Sequence, residues 1–293
     1  MRPHLHLFPD ALRLGRGLAR ATGYAASPLR LHAFPDGESG LRVHHPAGAD
    51  AVLVRTLHEP NDKLVEVLLA ADALRRAGAP RVTLIAPYLP YMRQDCVFRS
   101  GEPNSQRVVG ALLGAAFDRV LTIEAHLHRV RRLSEVVSGA RAQSLSAAPA
   151  IAQWVAARRR GAIVVGPDAE SAAWIRAVAR RAAVPWIVGE KQRRGDRRVS
   201  LRLPALPPGV WHALLVDDIA SSGATLAAAA RALYRAGIRS VDAVVVHALI
   251  ESGGAARLRR AGIRRLLSCD TIPHPSNAIS IVALLAQTLR RRR

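Results

Sequence analysis

At 293 residues the chain is too long for one small core and suits two domains of roughly 150 residues each, and its 49% hydrophobic content, spread through short runs, excludes disordered and fibrous classes. Its 43 basic residues outnumber 22 acidic ones for a formal net charge of +21, but the arginines are scattered and aromatics make up only 4%, so no specific nucleic-acid partner is expected. No apolar run approaches the ~20 residues that span a bilayer, and the N-terminus has no apolar stretch before a cleavage site, so a cytoplasmic protein without a membrane segment is expected.

Taken in chain order, short β-branched runs alternate with helical ones. AVLVRT (51–56) is followed by a helix over 64–78, in which Leu64, Leu68, Ala71 and Leu74 share a face and Gly78 stands where a C-terminal cap belongs. RVTLIAPY (81–88), a helix over 105–117 and RVLTIEAH (119–126) continue the pattern, and the second half repeats it with AIVVG (162–166), a helix over 171–182, HALLVDD (212–218), a helix over 225–237 and VDAVVVHAL (241–249). This is an α/β chain built on mainly parallel sheets flanked by helices. An internal echo supports duplication: AADALRRAGAPRV (70–82) matches AARALYRAGIRSV (229–241) at eight of thirteen positions. The expected domains are 1–145 and 146–293, with the linker near 140–150, where Gly139 and SLSAAPA interrupt the periodicity. Cys96 and Cys269 are the only cysteines, too few for a disulfide framework, and read as small buried hydrophobes.

The residues richest in chemistry are LLVDDIASSGATLAAAARAL. An apolar strand leads into Asp217 and Asp218, then a loop of small residues with Ser221, Ser222, Gly223, Ala224 and Thr225, then a helix. Such a turn offers backbone N–H groups and hydroxyls at a helix N-terminus, where the dipole favours a phosphate monoester. Two carboxylates at the C-terminal edge of a strand suit the vicinal hydroxyls of a sugar. His126 and His128 stand two residues apart after a strand, a spacing shared by transition-metal pairs and by plain polar strand ends. Asp36 and Glu38 lie in PDGE, which is also an ordinary turn sequence.

The 217–225 segment resembles the ribose-phosphate motif of the phosphoribosyltransferase fold. From about 31 to 285 the chain resembles one branch of that fold, the ribose-phosphate pyrophosphokinases, with two tandem phosphoribosyltransferase-like domains. The resemblance implies transfer of the β,γ-diphosphate of ATP to the 1-hydroxyl of ribose 5-phosphate. FPDGE (34–38) is similar to the family's adenine-contacting segment, contributed there by a neighbouring subunit, which gives Phe34, Asp36 and Glu38 to ATP and implies a homo-oligomer of at least two chains. PYLPYMRQD (87–95) is similar to the ATP segment, with Arg93 and Gln94 as nucleotide contacts. His126 matches the histidine that holds the metal–nucleotide complex, and Asp168 in GPDAES (166–171) the aspartate that serves Mg2+ and the ribose. EKQRR (190–194) resembles the mobile catalytic loop, with Lys191 and Arg193 as its catalytic cations. Asp217, Asp218 and 221–225 would take ribose 5-phosphate, the first domain being the ATP-binding one with a degenerate phosphate loop.

The chain departs from the family pattern at Ser221, where an acid is common, and at Ala224 and at Glu170 and Ser171, where glycines are usual. Phe98 and Gly101 replace polar or basic residues of a regulatory phosphate and ADP site, as in the shorter, unregulated branch known from archaea. Two rival readings share the motifs: a catalytically silent paralogue, and a phosphoribosyltransferase, which needs only one such domain.

Overall fold

The computed structural model describes residues 2–46, 48–158, 161–194 and 198–291; the side chains of 170 and 191–200 lie outside the description. The chain divides into two units, Met1–Leu145 with Val282–Arg293, and Ser146–Ile281. In unit 1, β1 (His4–Leu7), α1 (Leu12–Thr22) and β2 (Ala26–Pro28) come first, followed by a hairpin of β3 (Arg30–Ala33) and β4 (Ser39–Arg42). Then come β5 (Ala51–Val54), α2 (Pro60–Arg76), β6 (Val82–Ile85), α3 (Ser105–Ala116), β7 (Arg119–Ile123) and β8 (Arg141–Leu145). Unit 2 carries α4 (Ala148–Ala156), β9 (Ala162–Gly166), α5 (Ala172–Ala182), β10 (Trp186–Val188), β11 (Glu190–Arg194) and β12 (Arg198–Arg202). It continues with β13 (His212–Ala220), α6 (Ala224–Arg235), β14 (Ser240–Ala248), α7 (Gly254–Arg260), β15 (Ile263–Cys269) and β16 (Asn277–Ile279), and α8 (Val282–Arg290) closes the chain.

Each unit holds a six-stranded parallel sheet, in the order β2-β1-β5-β6-β7-β8 and β10-β9-β13-β14-β15-β16. The orders match strand for strand, as duplication requires. The apolar runs AVLV and AIVV are buried at every position because helices cover both faces of the sheets. Gly78 and Gly237 end α2 and α6 at φ 89° and 94°, a backbone conformation that glycine adopts without a Cβ penalty.

Three expectations are corrected. Val282–Arg293 belongs to unit 1: α8 buries Leu285, Ala286 and Leu289 and packs on α1, where Gly17 lets Val282 approach, since a Cβ at Gly17 would stand 3.0 Å from Val282 Cγ2. The stretch placed in the linker contains β8, the edge strand paired with β7 in register Arg119↔Arg141, and only 146–147 separate it from α4. EKQRR is part of a two-stranded antiparallel ribbon, β11 with β12, rather than a loop. Strands β1 and β2 and helix α1 add a strand–helix–strand unit that the alternation left out.

Candidate functional site

In both sheets the strand order reverses once, between β1 and β5 in unit 1 and between β9 and β13 in unit 2. Open α/β sheets bind ligands outside the C-terminal strand ends at such a point. In unit 2 the crevice forms because β9 pairs with β13 only as far as Val165↔Leu215, while β13 continues along β14 to Ala220↔Ala248. Asp217 and Asp218 therefore lie on strand that has outrun its neighbour on one side. Asp168 follows β9 and caps the short helical turn Ala169–Ser171, its Oδ1 accepting the Ser171 N–H at 3.3 Å while Ser171 Oγ donates to Asp168 O at 2.7 Å. Gly166 is required below it: a Cβ would stand 2.6 Å from Ser171 Oγ.

Two neighbouring carboxylates act on Asp217. Burial, then the charges of Asp218 and Asp168, push the Asp217 carboxyl well above the ordinary carboxylate range. The Asp218 N–H donates to Asp217 Oδ1 at 3.0 Å and fixes that side chain.

Beyond β13 the backbone turns through Ser221 and Ser222 to Gly223, which takes φ 73° and ψ 5° at the N-terminus of α6. Only glycine suits this place, since a Cβ would also stand 3.0 Å from Leu258 Cδ2. The loop's carbonyls are held from behind: the Glu251 N–H donates to Ser221 O at 3.2 Å and Arg257 Nη1 to Ser222 O at 2.8 Å. Ala224 N–H donates to Ser222 Oγ at 3.3 Å. Carbonyls drawn backward leave the forward side of the loop to N–H groups, hydroxyls and the positive end of α6, the composition of an anion site. Arg257 was missed in sequence reading because GGAARLRR carries no mark of the loop it supports 35 residues away.

The unit 1 candidates follow β3, β6 and β7 in the chain. Phe34 to Glu38 form the tip of the β3–β4 hairpin, with Phe34 N–H donating to Glu38 O at 2.8 Å and Gly37 N–H to Phe34 O at 3.0 Å. Asp36 does turn work, accepting the Glu38 N–H at 3.1 Å, and the Phe34 ring is 45% exposed, edge-on to His32 with centroids 4.7 Å apart. After β6, Arg93 is exposed, and Gln94 Oε1 accepts Ser105 Oγ–H at 2.6 Å, which ties this segment to the start of α3. After β7, the His126 and His128 rings meet Nε2 to Nε2, centroids 3.8 Å apart and tilted 71°. Arg129, next to them, reaches Asp95 Oδ1 at 3.5 Å and so joins the 87–95 and 124–130 segments.

Lys191 and Arg193 sit on β11 opposite Leu201 and Val199; their side chains, like that of Glu170, lie outside the described residues. Arg292 and Arg293 lie outside them too. Among the described residues no three His, Cys, Asp or Glu side chains are set to hold a metal ion, and no helix is long and apolar enough to cross a membrane.

A parallel sheet edge with paired carboxylates beside a tight loop at a helix N-terminus is the arrangement of a phosphoribosyltransferase-type domain. Residues 142–281 match the family model for the phosphoribosyl transferase domain, and residues 10–116 match that for the N-terminal domain of ribose phosphate pyrophosphokinase. A ribose-phosphate pyrophosphokinase from Methanopyrus kandleri is 32% identical, covering 96% of each chain, and ribose-phosphate pyrophosphokinase 2 of Archaeoglobus fulgidus is 31% identical over 96% of this chain and 98% of that one. The crystal structure of phosphoribosylpyrophosphate synthetase from Mycobacterium smegmatis superposes with a TM-score of 0.85 at 25% identity, covering 99% of this chain and 98% of that one. The chain belongs to the ribose-phosphate pyrophosphokinase family.

Proposed function

We propose that this chain transfers the β,γ-diphosphate of ATP to the 1-hydroxyl of ribose 5-phosphate, giving phosphoribosyl pyrophosphate and AMP. The observation that carries the reading is the unit 2 crevice, where Asp168, Asp217 and Asp218 meet beside the loop 221–225. Asp217 and Asp218 accept hydrogen bonds from the ribose hydroxyls, and Ser221, Ser222, Gly223, Ala224 and Thr225 cradle the 5-phosphate. Unit 1 takes the nucleotide: Phe34, Asp36 and Glu38 at the adenine, Arg93 and Gln94 along ATP, and His126 at the metal–nucleotide complex.

In the reaction the 1-hydroxyl oxygen bonds to the β-phosphorus as the bond from that phosphorus to the α,β-bridging oxygen breaks. The bridging oxygen leaves with AMP and the hydroxyl proton is released. Charge spreads over non-bridging oxygens, so catalysis is positioning and electrostatics. Lys191 and Arg193 supply positive charge to the diphosphate, and no side chain forms a covalent bond to it. Mg2+ fits Asp168 as a hard oxygen donor, with phosphate oxygens and waters, and His126 beside the nucleotide, completing its shell in place of a cage of protein carboxylates. When bound, it neutralises phosphate oxygens of ATP. The protein acts as a homo-oligomer of at least two chains, a reading supported by the exposed apolar pairs Val65 and Leu69 on α2 and Val108 and Leu112 on α3.

The test is AMP formation from ATP with and without ribose 5-phosphate. Release dependent on ribose 5-phosphate supports the proposal. No release in either case points to a silent paralogue, and consumption of phosphoribosyl pyrophosphate with a free base points to a phosphoribosyltransferase.

A further inference from the structure

The switch point of unit 1 shares the strand order of the unit 2 crevice but has no overhanging strand, since β5 pairs with both β1 and β6 only as far as Val54, and its side chains differ. β1 and β9 both run into Pro-Asp, Pro9-Asp10 and Pro167-Asp168, and Leu7 pairs with Val54 as Val165 pairs with Leu215. Counting on from those pairs, Thr56 and Leu57 stand where Asp217 and Asp218 do. The acids assigned to sugar hydroxyls are gone, and cations of the chain itself fill the edge.

Arg55, 5% exposed, pairs through Nη1 with Glu66 Oε2, and its Nε lies 3.6 Å from Asp10 Oδ2. Its guanidinium stacks over the Phe8 ring at 4.0 Å. Lys63 Nζ lies 3.3 Å from the same Asp10 oxygen and 3.2 Å from His58 Nδ1. Two cations answer two carboxylates, so this edge is neutralised from within the chain.

Burying such a network costs desolvation, which a function of its own would explain. One bond leads out of it: Glu66 Oε1 accepts Ser39 Oγ–H at 2.9 Å. Ser39 begins β4, and the β3–β4 hairpin is a separate two-stranded sheet, outside the six-stranded one. Leu31 and Leu41 rest on the core and β4 lies along α2; apolar contact of this kind tolerates sliding, while a charge-assisted hydrogen bond fixes register.

We propose that Asp10, Arg55 and Glu66, at the switch point of unit 1, are positioning residues that hold the nucleotide-binding hairpin through Ser39. The inference rests on the assignment of 34–38 to ATP. Ser39→Ala removes the hydroxyl that Glu66 Oε1 accepts while keeping every charged residue of the network, and Ser39→Thr keeps the hydroxyl. In Ser39→Ala, amide hydrogen exchange over 30–42 and the KM for ATP should each rise about tenfold, the low end for a hydrogen bond to a charged group, while kcat and the KM for ribose 5-phosphate stay within about twofold. Ser39→Thr should restore both. Unchanged hairpin exchange in Ser39→Ala would overturn the proposal. Faster exchange with an unmoved KM for ATP would instead overturn the assignment of the hairpin to the nucleotide and leave the tie standing.

Discussion

Replacing Asp217 and Asp218 together by Asn separates affinity from stability, because both charges favour the sugar while that of Asp217 opposes the fold. A hydrogen bond to a charged acceptor contributes about 1.5–3 kcal/mol against roughly 0.5–1.5 kcal/mol for a neutral one, so losing both charges should cost about 2–3 kcal/mol of ribose 5-phosphate binding. That is a loss of affinity of about 30- to 150-fold. Stability moves the other way. Burial, Asp218 and Asp168 raise the Asp217 carboxyl well above the ordinary carboxylate range. A carboxyl raised in the fold makes its full contribution below the unfolded value and loses it as pH rises through the folded one, so at neutral pH Asp217 weighs against the native state. Asn carries no such penalty, and each 1 kcal/mol relieved raises Tm by roughly 2–4 °C in a chain of this size. Calorimetric titration with each substrate and a melting curve without divalent cations measure both effects. Equal weakening of ATP and ribose 5-phosphate, or a lower Tm, would refute the reasoning.

Lys191→Ala should lower kcat by at least ~10³ with little change in the Kd of either substrate, the mark of charge felt mainly in the transition state, and Lys191→Arg should also lose much activity because a guanidinium is wider than an ammonium. A kcat within about tenfold of wild type in Lys191→Ala, under saturating substrates, would remove Lys191 from the mechanism. Gly223→Ala places a Cβ at φ 73° and against Leu258; at ~1–2 kcal/mol for the left-handed conformation alone, the KM for ribose 5-phosphate should rise about tenfold with the KM for ATP unmoved, and steady-state kinetics would expose an equal rise in both. His6 is held neutral in the fold, its pKa lowered to about 3 by burial and then by His4, His45 and His44. The unfolded chain therefore binds the extra proton below about pH 6.5, and stability should fall by up to ~1.4 kcal/mol per pH unit as pH drops below that value. Melting curves from pH 7 to 4 should show a slope that His6→Gln flattens; an unchanged slope in that variant would contradict it.

The parts of the site read most directly from sequence are those made by neighbours in the chain. LLVDD, SSGAT and the alanine-rich helix after them follow local rules for strand, turn and helix start, and β13, Gly223 and α6 appear in that order. What the sequence hides is tertiary. His4 and His6 break the apolar run of β1, and they are tolerated inside because Ser27 Oγ lies 2.9 Å from His4 Nε2 and His45 Nδ1 lies 3.0 Å from His6 Nε2. EKQRR looks like loop because every second residue lacks an apolar partner nearby; the pairing that makes it a strand comes from 198–202. Position in the chain put α8 with unit 2, yet Tyr24 Oη donates to Leu289 O at 3.4 Å in unit 1. Asp10 carries the same Pro-Asp signal as Asp168, but its cations at 55 and 63 become visible only once the strand order aligns the two edges.

The most direct measurement follows each phosphorus atom of ATP into product. With ATP labelled at the β-phosphorus, Mg2+ and ribose 5-phosphate, label should pass into phosphoribosyl pyrophosphate in step with unlabelled AMP, and γ-label should travel with it as one diphosphate. Formation of ADP with transfer of the γ-label alone, or no AMP at any ribose 5-phosphate concentration, would contradict the proposed diphosphate transfer.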